Sequence, residues 1–431
     1  MRRRRSEILP AETETIQKHS ELIHRGLEVL PTLKYGISGG FGNKRWTPEL
    51  IFATYEQATT GKPPKSLEYK VGNSGGGFDR LDFKPTGAAL KEYEADLSID
   101  LNRRGRGPRI SIPIPIYGAG MSFGSISLNF MLARALAAKR LGTFTSTGEG
   151  GYPPPLFEYK DHVITQVATG MFGVREDTIQ AARIVEFKYA QGAKPGLGGH
   201  LLADKVTSEV ANMRESLPFT SLYSPFPFHS VYSVEDHRKH VDWIRAINPS
   251  CLVSVKVSTP VDVDMVAIGS YYANANILHI DGGYGGTGAA PEIAKKNIAM
   301  PIEYAIPKVH RYLVAEGVRD ELVLMASGGI RTAYDVAKAI ALGADGCVVG
   351  STEAVAVGCT QCGNCERGRG CQVGITTTDP ELSQLMTPEW GAQRLVNLYS
   401  SWAEQWRTIL GKLGLRSIRD LRGRTDLLVY G

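Results

Sequence analysis

Four of the six cysteines fall within thirteen residues, at Cys359, Cys362, Cys365 and Cys371. Thiolates at such spacing converge on one metal centre, an iron-sulfur cluster or a structural zinc ion. Just upstream, Ser327-Gly328-Gly329 and Gly350-Ser351 each follow a β-rich run and precede a helical pattern. Such junctions offer backbone N–H groups and a helix N-terminus to a phosphate. A third stretch, Asp281-Gly282-Gly283-Tyr284-Gly285-Gly286-Thr287-Gly288, holds more glycine than a turn requires and suits close approach of backbone to a ring or a phosphate. A phosphate-bearing cofactor beside the cysteines would give a cluster an electron partner, which favours iron-sulfur over zinc.

Charged residues in the same half of the chain point to an anionic ligand. Lys256 ends the β-like run Ser254-Val255-Lys256-Val257 and is costly to bury unless it meets a negative group. Lys194, in Gln191-Gly192-Ala193-Lys194-Pro195-Gly196, and Arg214 supply cations suited to a dicarboxylate. Glu149, in Ser146-Thr147-Gly148-Glu149-Gly150-Gly151, supplies one carboxylate for proton transfer or amine handling.

These residues need elements that bring them to one place. From residue 112 onward, short β-rich runs alternate with helical patterns, with strands expected at 112–117, 142–146, 163–167, 187–192, 252–257, 277–280, 322–326 and 346–349. Eight such units predict an α/β chain closed into a (β/α)8 barrel, whose post-strand loops meet at one end. Gly120, Met121 and Ser122 after the first run, Glu149 after the second and Lys194 after the fourth would then share a mouth with the glycine-rich loops.

Residues 1–110 are expected to form a helical and loop extension, with helices at 12–30 and 48–57 around a glycine-rich break at 36–42. No motif is legible at 61–108, which reads as flexible or partner-facing surface. The barrel is expected at 111–358, and the cysteine segment with C-terminal helices at 359–431, including a helix at 387–413 whose tryptophans are packing residues.

The chain has 431 residues, 42% hydrophobic and 22% charged, and a net charge of +5. That balance is too mild and dispersed for nucleic acid, and no apolar run reaches the roughly 18 residues a membrane helix needs. The Arg2–Arg5 run is not followed by the roughly 7 to 15 apolar residues of a secretory signal. With cysteines spaced for metal, a cytoplasmic location is expected.

The sequence resembles the FMN-binding (β/α)8 domain of glutamate synthase large subunits and its stand-alone relatives. The resemblance rests on Gly120-Met-Ser-Phe-Gly-Ser-Ile-Ser127, Ser146-Thr-Gly-Glu-Gly-Gly151, Gln191-Gly-Ala-Lys-Pro-Gly196, Lys205-Val-Thr207, the 281–288 loop, the cysteine group and Gly423-Arg-Thr-Asp-Leu-Leu428. It implies FMN at the barrel mouth and an iron-sulfur cluster passing electrons to it, [3Fe-4S] in the usual three-cysteine pattern or [4Fe-4S] given the fourth, Cys362. It implies reduction of the imine formed from 2-oxoglutarate and ammonia, or methylamine, to glutamate or N-methylglutamate. Lys194 and Arg214 match residues at the 2-oxoglutarate end, Lys256 one near the flavin and Glu149 an active-site acid. His200 stands where the family carries glutamine, and Met171 where it carries arginine. Glutaminase-type, glycine-repeat β-helix and electron-donor subunits would be partner chains. Another FMN barrel oxidoreductase acting on a different 2-oxo or 2-hydroxy acid, or a non-catalytic electron-transfer subunit, are the rival expectations.

Overall fold

The computed structural model describes residues 41–64, 77–84, 86–87, 90, 94–287, 290, 294–295, 297–365 and 370–431. The helix expected at 12–30, residues 36–40 of the glycine-rich break and Gly288 lie outside them.

All eight expected strands form: β1 (Ile116–Gly118), β2 (Thr145–Ser146), β3 (Val163–Ala168), β4 (Ile184–Lys188), β5 (Leu252–Ser258), β6 (Ile277–Asp281), β7 (Val323–Ser327) and β8 (Gly346–Val349). Every residue in them is buried. This is what a parallel sheet covered on both faces requires. The parallel order is β1-β8-β7-β6-β5-β4-β3-β2. The ring closes where the Gly118 N–H donates to Phe144 O at 2.8 Å and Gly120 bridges Ser146. The molecule is a (β/α)8 barrel.

Three strands differ from the sequence expectation by three residues or more, β2 among them, which keeps only Thr145–Ser146 of the expected 142–146. Pro113 and Pro115 lack N–H donors and split the 112–117 run. Ser111–Ile112 pairs antiparallel with Ile99–Asp100, and only Ile116–Gly118 joins the barrel, against β8. The fourth strand occupies Ile184–Lys188, not 187–192, in register with β3 from Thr165↔Val185 to Ala168↔Lys188. Its charged positions, Glu186 and Lys188, belong to the strand, and the glycines after it form the loop.

Helices wrap the ring: α2 (Leu128–Leu141), α3 (Glu176–Ala181), α4 (Ser208–Arg214), α5 (Val234–Ile247), α6 (Val263–Tyr272), α7 (Ile302–Ala315), α8 (Ala333–Leu342) and α9 (Ser351–Ala356), with α1 (Pro48–Thr60) ahead of the barrel and α10 (Pro388–Leu413) after it. After β2 a 3-10 segment, Pro154–His162, replaces an α-helix. The Pro153-Pro154-Pro155 run there supplies no N–H donors. Thr47 and Thr387 cap α1 and α10, their side chains accepting from the N–H of Leu50 and Trp390. Trp390, Trp402 and Trp406 of α10 are buried as expected, and the Trp406 indole N–H donates to Ala333 O at 2.8 Å.

The segment read as loop-rich surface is partly built into the fold. Leu81–Phe83 pairs antiparallel with Leu428–Tyr430, and Leu97, Ile99 and Leu101 join the main core.

Candidate active site at the barrel mouth

Strand register decides which side chains face the barrel interior. Gln166, Glu186 and Ser254 are mutually in register on β3, β4 and β5; Lys188, Lys256 and His279 follow on β4, β5 and β6; Asp281 and Ser327 follow on β6 and β7. All eight are buried. Many such barrels fill this space with branched apolar side chains. Here it holds a hydrogen-bonded polar core. Gln166 Nε2 donates to Glu186 Oε1 at 2.7 Å, and Ser254 Oγ donates to Glu186 Oε2 at 2.9 Å. His279 Nδ1 lies 3.1 Å from Glu186 Oε2, and its Nε2 lies 2.7 Å from Ser327 Oγ. Ser327 Oγ donates to Asp281 Oδ1 at 2.6 Å, and the Gly192 N–H donates to Asp281 Oδ2 at 2.8 Å.

Burial alone would push the Glu186 carboxyl up, but His279, Lys256 and Gln166 outweigh it and hold the group down at about 2. Sequence reasoning found Asp281, Ser327 and Lys256 but missed Gln166, Glu186, Lys188 and His279. The available signal was the alternation of polar and apolar residues in Glu186-Phe187-Lys188 and His279-Ile280-Asp281, the same pattern that singled out Lys256.

Above this core, Glu149, Lys188, Lys194 and Arg214 come together from the β2 loop, the end of β4, the β4 loop and the end of α4. Lys188 Nζ and Glu149 Oε1 are 2.9 Å apart, both nearly enclosed. Burial works against the Glu149 charge, yet Lys188, then Lys194 and Arg214, hold its carboxyl below the usual range. Lys188 is pulled below its ordinary value by burial, with Glu149 opposing and Lys256 assisting. Arg214 lies against Gly150, where any Cβ would collide with the guanidinium. Its Nη2 donates to Ser122 Oγ at 3.1 Å and Phe123 O at 3.0 Å, while its buried Nε makes no hydrogen bond. A buried donor of this kind suits an anionic ligand. The Gly199 backbone abuts the Glu149 carboxylate, which brings His200 next to the cluster, whereas Met171 lines a separate cleft with His229 and His240.

The glycine-rich loops divide into two kinds. A Cβ on Gly192 or Gly328 would strike the Gly282 carbonyl, one on Gly282 would strike Ile302, and one on Gly283 would strike Ala299 O. These glycines let the β4, β6 and β7 loops touch backbone to backbone. Gly329, at φ 116°, is backed by Tyr284, and a Cβ on Gly286 would collide with Ser351 Oγ. Gly329, Gly286, Gly350 and Ser351 therefore line the β7–β8 side, where the loop N–H groups and the start of α9 form a cradle suited to a phosphate. Gly120, Met121 and Ser122 follow β1, the strand paired with β8; Gly120 lies against Gln166, Met121 and Ser122 lie against Gly148, and a Cβ built on Gly350 would stand 3.5 Å from Met121 Cε.

The cysteine segment follows α9. Among the described residues, no three acidic, histidine or cysteine side chains stand as a ready metal site. The donor chemistry nonetheless fits a cation. Burial, then the neighbouring Cys365, Cys371 and Cys362, push the Cys359 thiol far up, so shared thiolates here repel one another. None of the six cysteines is in a disulfide. Lys205 Nζ donates to Cys365 O at 2.6 Å, Thr376 O at 2.9 Å and Ser125 O at 3.3 Å. One buried ammonium thus pins the cysteine segment to the first barrel loop.

The site can be set beside known proteins. Solved structures of a flavocytochrome b2 mutant with benzoylformate (TM-score 0.54, 13% identity, 98% of this chain and 91% of that one) and of mandelate oxidase with (S)-4-hydroxymandelic acid (TM-score 0.52, 16% identity, 94% and 97%) share the fold. The archaeal-type glutamate synthase (NADPH) of Thermotoga neapolitana is 40% identical over 410 residues, covering 89% of this chain and 80% of that protein. The archaeal glutamate synthase (NADPH) of Methanocaldococcus jannaschii is 41% identical over 369 residues, 85% of this chain and 69% of that protein. The glutamate synthase (NADPH) large chain of Azospirillum brasilense is 34% identical over 385 residues, 88% of this chain but 24% of its own length. A family model described as the conserved region in glutamate synthase matches residues 84–416, Glu149, Lys194, Arg214 and the four clustered cysteines included, so the chain belongs to the glutamate synthase family as an oxidoreductase of that type.

Proposed function

We propose that this chain is an FMN and iron-sulfur catalytic subunit that reduces the imine formed from 2-oxoglutarate and ammonia, or methylamine, to glutamate or N-methylglutamate. The supporting observation is the convergence of Arg214, Lys194 and the Glu149–Lys188 pair above a glycine-lined phosphate cradle. When bound, FMN would supply the hydride, and a cluster at Cys359, Cys362, Cys365 and Cys371 would supply electrons to it.

The chain's own residues have separable tasks. Arg214, fixed by Ser122 and Phe123 and with its buried Nε unused among the described residues, and Lys194 would bind the two carboxylates of 2-oxoglutarate. Condensation requires a base that takes a proton from the ammonium and an acid that gives one to the departing water. Glu149, kept ionised by its cations, and Lys188, 2.9 Å away, form that pair. Lys256, in register with His279 on the neighbouring strand, would offset negative charge on a reduced flavin ring bound at the mouth. Glutaminase-type, glycine-repeat β-helix and electron-donor chains would be the partners. Among the described residues no helix is long and apolar enough to cross a membrane, and a cytoplasmic location is part of this proposal.

The test begins with anaerobically purified, reduced protein given 2-oxoglutarate with ammonia or with methylamine. Flavin reoxidation with one amine and not the other supports the reading and identifies the nitrogen donor. In Arg214→Ala, reoxidation is expected to fall at least about a hundredfold with flavin retained, the cost of removing a charge-assisted carboxylate contact. Full activity in that variant would remove Arg214 from the substrate site. His200, next to the Glu149 cluster where the resemblance leads one to expect glutamine, favours a second reading, a different 2-oxo acid, and reoxidation by such an acid without 2-oxoglutarate turnover would establish it.

A further inference from the structure

The segment ahead of the barrel sends one side chain into the mouth. Arg45 is 6% exposed, and its guanidinium lies over the Tyr284 ring, 3.3 Å from the centroid. A Cβ built on Gly329 would stand 3.5 Å from Arg45 Nη2, so this cation borders the β7 loop on the cradle side. Arg45 Nε and Nη2 are buried and make no hydrogen bond.

Among the described residues nothing satisfies those donors. Arg331, the like charge next to Arg45, is engaged by Asp79 and Asp335. Glu303 is the carboxylate that acts most strongly on Arg45, yet both of its oxygens are buried without a hydrogen bond. Burial holds the Glu303 carboxyl up, which blunts its opposition to an anion. Burial, then repulsion from Arg331, pulls Arg45 below its ordinary value, a penalty that an arriving anion would relieve.

The arginine is also held in place before any ligand arrives. Asn43 Oδ1 accepts from the N–H of Arg45 at 2.9 Å and of Trp46 at 3.1 Å. Arg45 O accepts from Arg331 Nη1 at 3.0 Å, and the Gly42 N–H donates to Thr360 O at 2.8 Å. Phe41, Trp46, Leu50 and Ile51 pack with Val355 of α9, the helix that begins at Ser351 in the cradle. A fixed guanidinium with unused donors beside a glycine cradle is a phosphate-binding arrangement.

We propose that Arg45 binds the terminal phosphate of the flavin, completing from outside the barrel the cradle formed by the β7 and β8 loops. The proposal rests on the flavin reading above. The test titrates the full-length, flavin-depleted chain with FMN and with riboflavin, which lacks the phosphate, following quenching of flavin fluorescence. Arg45→Met is expected to weaken FMN binding about ten- to a hundredfold and to leave riboflavin binding unchanged, the loss for one charge-assisted hydrogen-bonded contact. Arg45→Lys, which keeps the charge but not the fork, should recover part of the FMN affinity. FMN binding by Arg45→Met equal to wild type, or an equal loss for both flavins, would overturn the proposal. A wild-type chain that binds neither flavin would instead overturn the flavin reading itself.

Discussion

At the scale of single residues, one imidazole joins the polar groups of the barrel core. Both ring nitrogens are engaged, so His279 ties Glu186 on β4 to Ser327 on β7, and Ser327 bridges to Asp281. Removing the ring leaves these buried polar partners unsatisfied. His279→Leu is expected to lower stability by about 3–5 kcal/mol, and Glu186→Gln in the same chain to recover much of it, read as a double-mutant cycle in urea. A cost below about 1 kcal/mol, with no coupling, would show that the ring does not hold this polar core together. The loop residues Glu149, Lys194 and Arg214 were legible in the sequence because unusual motifs mark them. Glu186 was hidden by a strand frame drawn three residues late, which also put Lys188 at the start of the strand and not at its end, and Arg45 by a contact that only the folded barrel creates.

At the scale of elements, α5 shows how packing turns a polar residue into a pH-sensitive one. Its His237 faces Phe187 of β4 and Tyr189, with ring centroids 5.7 and 5.0 Å away, and its buried Nε2 has no partner. Burial, with some repulsion from His240, lowers His237 from 6.5 to about 4. The unfolded chain takes up this proton below pH 6.5 and the folded chain only near pH 4, so stability is lost as pH falls across that window. His237→Phe removes the difference and should stabilise the protein at pH 5 by about 2 kcal/mol relative to its effect at pH 7.5. Urea midpoints at the two pH values measure this, and equal shifts at both would contradict it. The strands themselves were legible, since buried β-rich runs separated by helical patterns admit few architectures. Their ends were not, because Pro113 and Pro115 remove donors while the period of the side chains continues through them. The pairing of Leu81–Phe83 with Leu428–Tyr430 joins segments far apart in the chain that share no sequence signal.

At the scale of the whole molecule, the two flanking segments grip each other across the barrel's exterior. Arg394 of α10 donates from Nε to Ala356 O at 2.6 Å, from Nη1 to Thr59 Oγ1 at 3.0 Å and from Nη2 to Tyr55 O at 3.1 Å, and lies 3.9 Å from the Tyr55 ring centroid. Gln57 accepts from Ser401 and Gln405 alongside it, and Asn397 donates to Ala58 O. α1 is thus anchored to α10 and to the end of α9, and the stretch that carries Arg45 is continuous with α1. The strand ladders of the barrel close without this anchor, although Ala58 of α1 and Trp402 and Trp406 of α10 share the main core. Arg394→Leu leaves three acceptors without their donor, at a cost of roughly 3 kcal/mol. The loss should be local. Hydrogen exchange is expected to quicken across residues 41–60 while amides of β5, β6 and β7 keep their protection, because the grip is a separate cooperative unit. Equal acceleration in both regions would mean that the flanking segments and the barrel unfold as one. Unchanged exchange at 41–60 would mean that the apolar contacts of Trp46, Leu50 and Ile51 with Val355 hold the extension without the arginine.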